Sequence, residues 1–522
     1  MEHPFGGRVG HRMTHNLGWP TCRRPVAGWC REATGGERAK GSPIDNRSDA
    51  ADEILADGAG GSPKRKESPQ VQTEDSAVAI GIDAAVVADH HVMVRQRETR
   101  GPGTVLEEFH VAPTLVGMER LSKKLSAYPG ALAAAEPTSM TWLPLALALE
   151  QAGCAFALVG NRHAGRLRGA LAGKNKSDVI DAEVLSRAGE LFALPPARIP
   201  DAAELALRRA VLLRHKAVLD ANRARRRLLS QARWAYPDVW IAFGRSWAVA
   251  LAVLERWPHL GSLARARSST LTDIVAAHTR GVGDAGRRAE RIRAAAQGWV
   301  AFWGEHLDLD SLAWETTQLL ADLEAAELRR ERAEIEAVRR WERLWGDDAL
   351  LLSVPGMGPR VAPTVRAFMG DARQFDEASE AQAYVGVNPS NWSSGETAQP
   401  SRAITKEGPA ALRLAFYQAA NVARTLDPQL AAFYRKLMVE RGHCHAQATC
   451  AVARKLVART WATISTGSPY ELRDLDGTPL TRRHARELAT SLAVPEVVRR
   501  RSRARSTAAR RGAPRALIQQ PV

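Results

Sequence analysis

Two carboxylates three residues apart, Asp178 and Asp181, open an apolar-periodic segment in Lys176-Ser177-Asp178-Val179-Ile180-Asp181-Ala182-Glu183. On a helix that spacing sets both on one face, one above the other. Upstream, Ala79-Ile80-Gly81-Ile82-Asp83 reads as a buried strand ending in an acid, and Ala131-Leu132-Ala133-Ala134-Ala135-Glu136 reads the same way. Acids at strand ends and an acid pair on a helix face can converge on one pair of divalent metal ions, the raw material of a metal-dependent nuclease or strand-transfer enzyme. Four ionised carboxylates repel one another; two Mg2+ ions, or Mn2+, would neutralise Asp83, Glu136, Asp178 and Asp181, activate a nucleophile and stabilise a leaving oxygen. A blander reading exists for the pair alone. Asn175 and Ser177 are good N-cap residues, and acids in a first helical turn are favoured by the dipole with or without a metal. Asp83 and Glu136 weigh against it, because an acid directly ending an apolar strand is costly unless solvated, paired or metal-bound.

A second constellation is the polar, Gly-flanked loop Gly386-Val387-Asn388-Pro389-Ser390-Asn391-Trp392-Ser393-Ser394-Gly395. Ser-Gly loops are mostly turns, and this one lacks the spacing of a Gly-x-Ser-x-Gly nucleophile elbow. A third, His443-Cys444-His445 with Cys450, offers soft ligands at a spacing that fits no standard structural zinc site, so no metal is expected there. The segment Val354-Pro355-Gly356-Met357-Gly358 places a Pro-Gly-x-Gly turn between helical stretches, the pattern of a helix-hairpin-helix whose backbone N–H groups suit a nucleic-acid phosphate. Pro and Gly also simply end helices.

The elements that must position these residues fall into an α/β part and an α part. Strands are expected at 78–83, 91–94, 105–111, 131–136 and 155–159, with a helix around 142–152, compatible with an RNase H-like sheet against which the Asp178 helix packs. From about 199 to 348 almost everything reads as helix. Segments 205–233 and 319–344 resemble long amphipathic or coiled-coil helices, best read as a spacer or oligomerisation arm. Residues 349–473 form a second compact, mostly helical domain. Residues 1–75 are Gly-, Arg-, Ser- and Pro-rich without apolar periodicity and read as disordered or as translated sequence before the true start; 474–522 turns polar, then Arg-rich, and is expected to lack order.

Composition is that of a globular chain, with 45% hydrophobic and 25% charged residues. The 73 Lys and Arg exceed the 57 Asp and Glu, giving a formal charge of +16. Such an excess points to a polyanionic partner, most often nucleic acid, although the seven Arg of residues 499–511 supply part of it. Five Cys, odd in number and without framework spacing, fit a reducing cytosol. No apolar run of spanning length and no signal core is found, so the expected location is the bacterial cytoplasm, in association with DNA and away from membranes.

At this point the residues resemble the DEDD-type transposases of the IS one-ten group of insertion sequences, including its one-one-one-one subgroup. The amino-terminal pieces are Gly81-Ile82-Asp83, Ala135-Glu136-Pro137-Thr138 and Asn175 through Ala182, which supply Asp, Glu, Asp and Asp in the family's order. The carboxy-terminal pieces begin with Val354 to Gly358, Gly370-Asp371, Phe375, Tyr384-Val385-Gly386, Pro389 and Ser394-Gly395. They continue with Lys406, Gly408, Leu412-Arg413, Gly442, Arg454-Lys455-Leu456 and Tyr470. The resemblance covers about 77–473 and implies a RuvC-like metal domain (76–198), a helical connector (199–348) and a serine-bearing transposase domain (349–473).

The family's catalytic serine directly precedes a Gly, which carries over to Ser394, with the adjacent Ser393 as competitor. The resemblance further implies attack on a DNA phosphate through a phosphoserine link, and a homodimer or homotetramer. It also implies a bridge RNA that base-pairs with donor and target DNA. Backbone contacts to nucleic acid are expected at Lys176, Gly356, Gly358, Arg360, Arg402, Lys406 and Arg413. This sequence departs from the pattern at Glu396, where relatives often carry a small or basic residue, and at Thr405-Lys406-Glu407-Gly408, which only partly matches a Ser-Lys-Arg-Gly run. The alternatives are a RuvC-like endonuclease acting on branched DNA with the acids and water alone, and an inactive nucleic-acid-binding remnant.

Overall fold

The computed structural model describes residues 77–98, 103–138, 140–173, 175, 177–192, 194, 196–244, 246–279, 284–390, 393–394, 397–398 and 403–510. The expectations for residues 1–75, and for Lys176, Gly395, Glu396 and Arg402, lie outside these.

Apolar runs rich in Ile, Val and Ala form one five-stranded mixed sheet: β1 Val78–Asp83, β2 His90–Gln96, β3 Thr104–Val111, β4 Leu132–Ala135 and β5 Ala155–Leu158. The order is β3-β2-β1-β4-β5. The first three strands are antiparallel neighbours, whereas β1–β4 and β4–β5 are parallel. One face is apolar: Ile80, Ile82, Val92, Val94 and Phe109 pack under α1 (Leu115–Leu125) and α2 (Trp142–Gln151). The other face is covered by α3 (Asn161–Ala172) and α4 (Asp178–Leu191) around Val159, Leu167, Val184 and Leu185. Strand 1 and the two acid-ended segments thus fall where alternation and apolar runs place them. Helix α3 has no counterpart in the sequence reading.

Two very long helices follow, α5 (Ala202–Ala235) and, after five shorter ones, α11 (Leu309–Trp345). Ion pairs Arg214–Glu334, Arg225–Glu327 and Arg227–Asp322 run in opposite order along them, so the pair is antiparallel. The intervening helices α6 (Pro237–Ala242), α7 (Trp247–Arg256), α8 (Leu260–Ala264), α9 (Ser268–Ala277) and α10 (Ala285–Trp303) close a separate core at the far end of the pair, built on Phe243, Leu263, Val253 and Ile292.

At the near end, Leu207, Val211 and Trp341 join the core of the second domain. That domain comprises α12 (Ala349–Ser353), α13 (Ala362–Met369), α14 (Ala378–Val385), a β6–β7 hairpin (Ser393–Ser394, Thr397–Ala398), α15 (Ala410–Ala423), α16 (Pro428–Val439) and α17 (His445–Thr466). The buried pair Arg366–Asp348 ties α13 to the N-cap of α12 through two hydrogen bonds of 2.8 and 2.6 Å, and Trp341 Nε1 donates to the same carboxylate at 3.0 Å.

The expectation of disorder over 474–522 is corrected for most of that range. Arg482–Ser491 (α18) and Glu496–Arg510 (α19) are helices. Ala485 and Ala489 are buried, and Val494 and Val498 pack on the second domain's core. A sparse apolar stripe among many Arg suffices to dock them, and average polarity hides it. Among the described residues no helix is long and apolar enough to cross a membrane.

Candidate active site at the end of the mixed sheet

Asp83 and Glu136 are each the next residue after the β1–β4 register pair Ile82 and Ala135, so the two acids leave neighbouring parallel strands side by side. Helix α4 reaches them because β1 carries glycine at 81. A Cβ there would lie 1.9 Å from Ala182 O and 2.5 Å from Ser186 N. With no side chain in the way, the first turns of α4 lie directly on the strand end, bringing Asp181 to it. Ser177 caps this helix by accepting from Ile180 N. Asp178 is exposed in the first turn, whereas Asp181 is 8% exposed.

Burying that carboxylate needs a positive partner, and α3 provides one. Arg168 Nη1 donates to Asp181 Oδ1 at 2.6 Å. The guanidinium is held above its ordinary range chiefly by this hydrogen bond, against desolvation, with the charges of Asp181, Glu136 and Asp83 adding to the effect. Asp181 is therefore paired with this guanidinium, and Asp83 and Glu136 act on it only through their charge. The donor set, carboxylates without soft ligands, fits a hard divalent cation in kind. In the arrangement described, Arg168 meets their charge. Among the described residues, no three His, Cys, Asp or Glu side chains are close enough to share an ion.

Sequence reasoning passed over Arg168 and a polar row beside the acids. Asp83 pairs with His91 across β1–β2, and His91 with His110 across β2–β3, on the face that α4 covers. His91 is buried; its Nε2 is 2.9 Å from Glu108 Oε1 and its ring stands edge-on to that of His110 at 4.4 Å. Further along, Arg95 Nη1 donates to Glu183 Oε1 of α4 at 3.2 Å. The only cue was a double His opening a strand.

The serine loop belongs to the second domain. Gly386, at φ +72°, ends α14, and Thr405 N donates to Asn388 O at 2.9 Å. The chain then runs out through the Pro389–Ile404 bridge to the short ladder Ser393↔Ala398 and Ser394↔Thr397. Ser394 thus sits near the tip of a hairpin on a different domain from the acids.

The expected nucleic-acid residues separate into two kinds. Gly356, at φ +87°, has backbone packed on α15, where a Cβ would be 2.4 Å from Ala419 O; Gly358 faces open space. Arg413 is half-buried and donates to Gly408 O at 3.0 Å and Val385 O at 3.4 Å, locking the hairpin's base. Burial pushes its pKa down. Arg360 is exposed and pairs with Glu334 of α11 at 2.9 Å, and Lys406 is exposed with φ +58°. In the His-Cys cluster, Cys444 N donates to Gln447 at the start of α17, and His445 Nδ1 lies 2.8 Å from Tyr434 Oη.

Comparison with known proteins adds two family matches in chain order. Residues 80–237 match a transposase family named for the DEDD acids of IS110, and residues 348–435 match the transposase IS116/IS110/IS902 family. The chain is 26% identical over 416 residues to a 43.6 kDa protein of insertion element IS110 from Streptomyces coelicolor, covering 77% of this chain and 97% of that one. It is 29% identical over 319 residues to a 44.8 kDa protein of insertion element IS116 from Streptomyces clavuligerus, 59% of this chain and 75% of that one. A pilin gene-inverting protein of Moraxella lacunata is 29% identical over 126 residues, 24% of this chain and 39% of that one.

Proposed function

Because this chain belongs to the IS116/IS110/IS902 family of transposases, whose enzymes act on DNA, we propose that it cuts and exchanges DNA strands of an insertion sequence through a phosphoserine intermediate. The observation that supports the chemistry is that Asp83 and Glu136 leave neighbouring parallel strands of a five-stranded mixed sheet, while Asp181, on the helix packed against β1, pairs with Arg168. Acids at the ends of neighbouring strands of such a sheet support the reading of a RuvC-like metal domain. The name of the pilin gene-inverting relative fits a rearrangement of DNA.

Asp83, Glu136, Asp178 and Asp181 would hold divalent cations, Mg2+ in preference to softer metals, since all four offer hard oxygen ligands. Bound there, such ions supply Lewis-acid stabilisation of charge on the phosphate oxygens and lower the pKa of an attacking hydroxyl. The rest falls to the chain. Arg168 holds Asp181 until it is exchanged for that charge. The hairpin presents Ser394 at its tip, with Ser393 as the adjacent competitor. As Ser394 Oγ bonds to phosphorus, its proton leaves, the bond to the departing strand breaks, and that strand's oxygen takes up a proton. The phosphoester stays in the serine link, so a second hydroxyl can reverse the step and rejoin strands without ATP. Selection of sites is assigned to a bridge RNA pairing with donor and target DNA, within a homodimer or homotetramer. Exposed cations such as Arg360 and Lys406 would contact backbones only.

Trapping tests this. Protein, Mg2+, the RNA encoded beside the element and labelled donor and target duplexes are mixed, denatured, and the linked residue mapped by mass spectrometry. An adduct at Ser394 that is absent from Asp181→Asn and Ser394→Ala is expected. Cleavage without any adduct would assign the acids to hydrolysis instead.

A further inference from the structure

Helix α19 is a docked rod of arginines. Its inner side is anchored: Val498 packs on the second domain's core, Ser502 is buried and accepts from His445 N at 3.1 Å, and Arg505 Nη1 reaches Gly442 O at 3.4 Å. Its outer side carries Arg499, Arg500, Arg501 and Arg503, all exposed. Glu496, the single acid of the helix, pairs with Arg499 at 3.1 Å, with Arg500 at 3.6 Å and also with Arg503. One carboxylate among three guanidiniums leaves the face strongly positive.

We propose that the outer face of α19 binds the backbone of duplex DNA without regard to sequence. This rests on the reading of the chain as a DNA-acting enzyme and adds a surface outside the family-matched segments 80–237 and 348–435. Guanidinium forks match phosphate oxygens bidentately. Docking through Val498 and Ser502 fixes the backbone that bears them, so less ordering entropy is lost on binding than for a free tail. The shape favours DNA over folded RNA. A helix fits along the wide major groove of B-form duplex with its arginines on the flanking phosphates, whereas the narrow, deep major groove of A-form RNA does not admit it. On a strand-exchange enzyme such a face would hold duplex flanking the reacting site.

The test is fluorescence anisotropy of the full chain with a short labelled duplex of arbitrary sequence, over a series of salt concentrations. The triple variant R499Q/R500Q/R503Q is expected to bind about tenfold or more weakly at low salt, with a log K against log salt slope about two to three units shallower. Glu496→Gln should bind more tightly than wild type, a change of direction that damaged folding does not produce. Unchanged affinity and slope in the triple variant would overturn the proposal, as would a loss seen on an RNA hairpin while duplex binding stays intact. Neither result touches the serine-adduct reading, which is measured separately by trapping.

Discussion

The buried carboxylate of Asp181 is neutralised by the guanidinium of Arg168, and that pairing sets a competition. A divalent ion held as proposed would need the same carboxylate, so whatever free energy Arg168 contributes to the metal-free fold would oppose metal entry. Arg168→Gln is therefore expected to lose about 2 kcal/mol of metal-free stability, read from the denaturant midpoint. It should also bind Mg2+ more tightly in a calorimetric titration. Equal Mg2+ affinity in both proteins would show that guanidinium and ion do not share the site. Asp348→Ala makes a contrast, because it strands the buried Arg366 in the second domain, which does not carry the acids; about 3–5 kcal/mol is expected, with no change in Mg2+ affinity. The acids were legible because a carboxylate after an apolar run is an anomaly with few solutions. Arg168 was not, since in His163-Ala164-Gly165-Arg166-Leu167-Arg168 nothing separates it from Arg166 until α3 is laid on the sheet. Arg413 shows what a motif match leaves unread: it donates to backbone carbonyls at the base of the hairpin.

Among elements, the contact of α4 with β1 decides how closely Asp181 approaches the strand-end acids. Gly81→Ala drives a methyl into Ala182 O and lifts the helix from the strand end, so a loss of about 1–3 kcal/mol and of adduct formation is expected. Gly165→Ala, in α3 with nothing within 4 Å of the added carbon, should instead stabilise by about 0.5–1 kcal/mol and leave the adduct intact, both read by thermal melting and trapping. If both alanines melt alike, the close approach is not what glycine 81 serves. The strands were readable within two residues of their ends from short apolar runs, and the long periodic segments 205–233 and 319–344 lie inside α5 and α11, the latter beginning ten residues earlier than expected. Helices of mixed composition were not. In α3 the polar and basic residues outnumber its apolar contacts, and in α18 and α19 the docking stripe is a few Ala and Val among arginines, so local pattern carries too little signal against the tertiary contacts that stabilise them.

At the scale of the molecule, the acids and Ser394 lie on different domains, with the antiparallel α5–α11 pair between and a third core, the α6–α10 lobe, at its far end. The lobe's core shares no buried residue with that of the sheet or of the second domain. Near its base the two long helices are already joined by the buried hydrogen bond from Thr316 Oγ1 to Gln231 Oε1 at 2.9 Å. Stability in such a chain is local to each core, since apolar burial acts where surfaces touch. Replacing residues 232–315 with a short Gly/Ser turn should then leave a folded protein in which α5 and α11 form a hairpin held by the Thr316–Gln231 bond, Arg214–Glu334 and Arg225–Glu327. The expected readout is a cooperative melt with near-normal Mg2+ affinity at Asp83, Glu136 and Asp181. Donor–target strand exchange should fall if the lobe holds a partner chain or nucleic acid, and stay if it is only a stiffener. Loss of the cooperative melt itself would mean that the far core props up the other two, and that the separation of cores seen in the packing does not extend to their energetics.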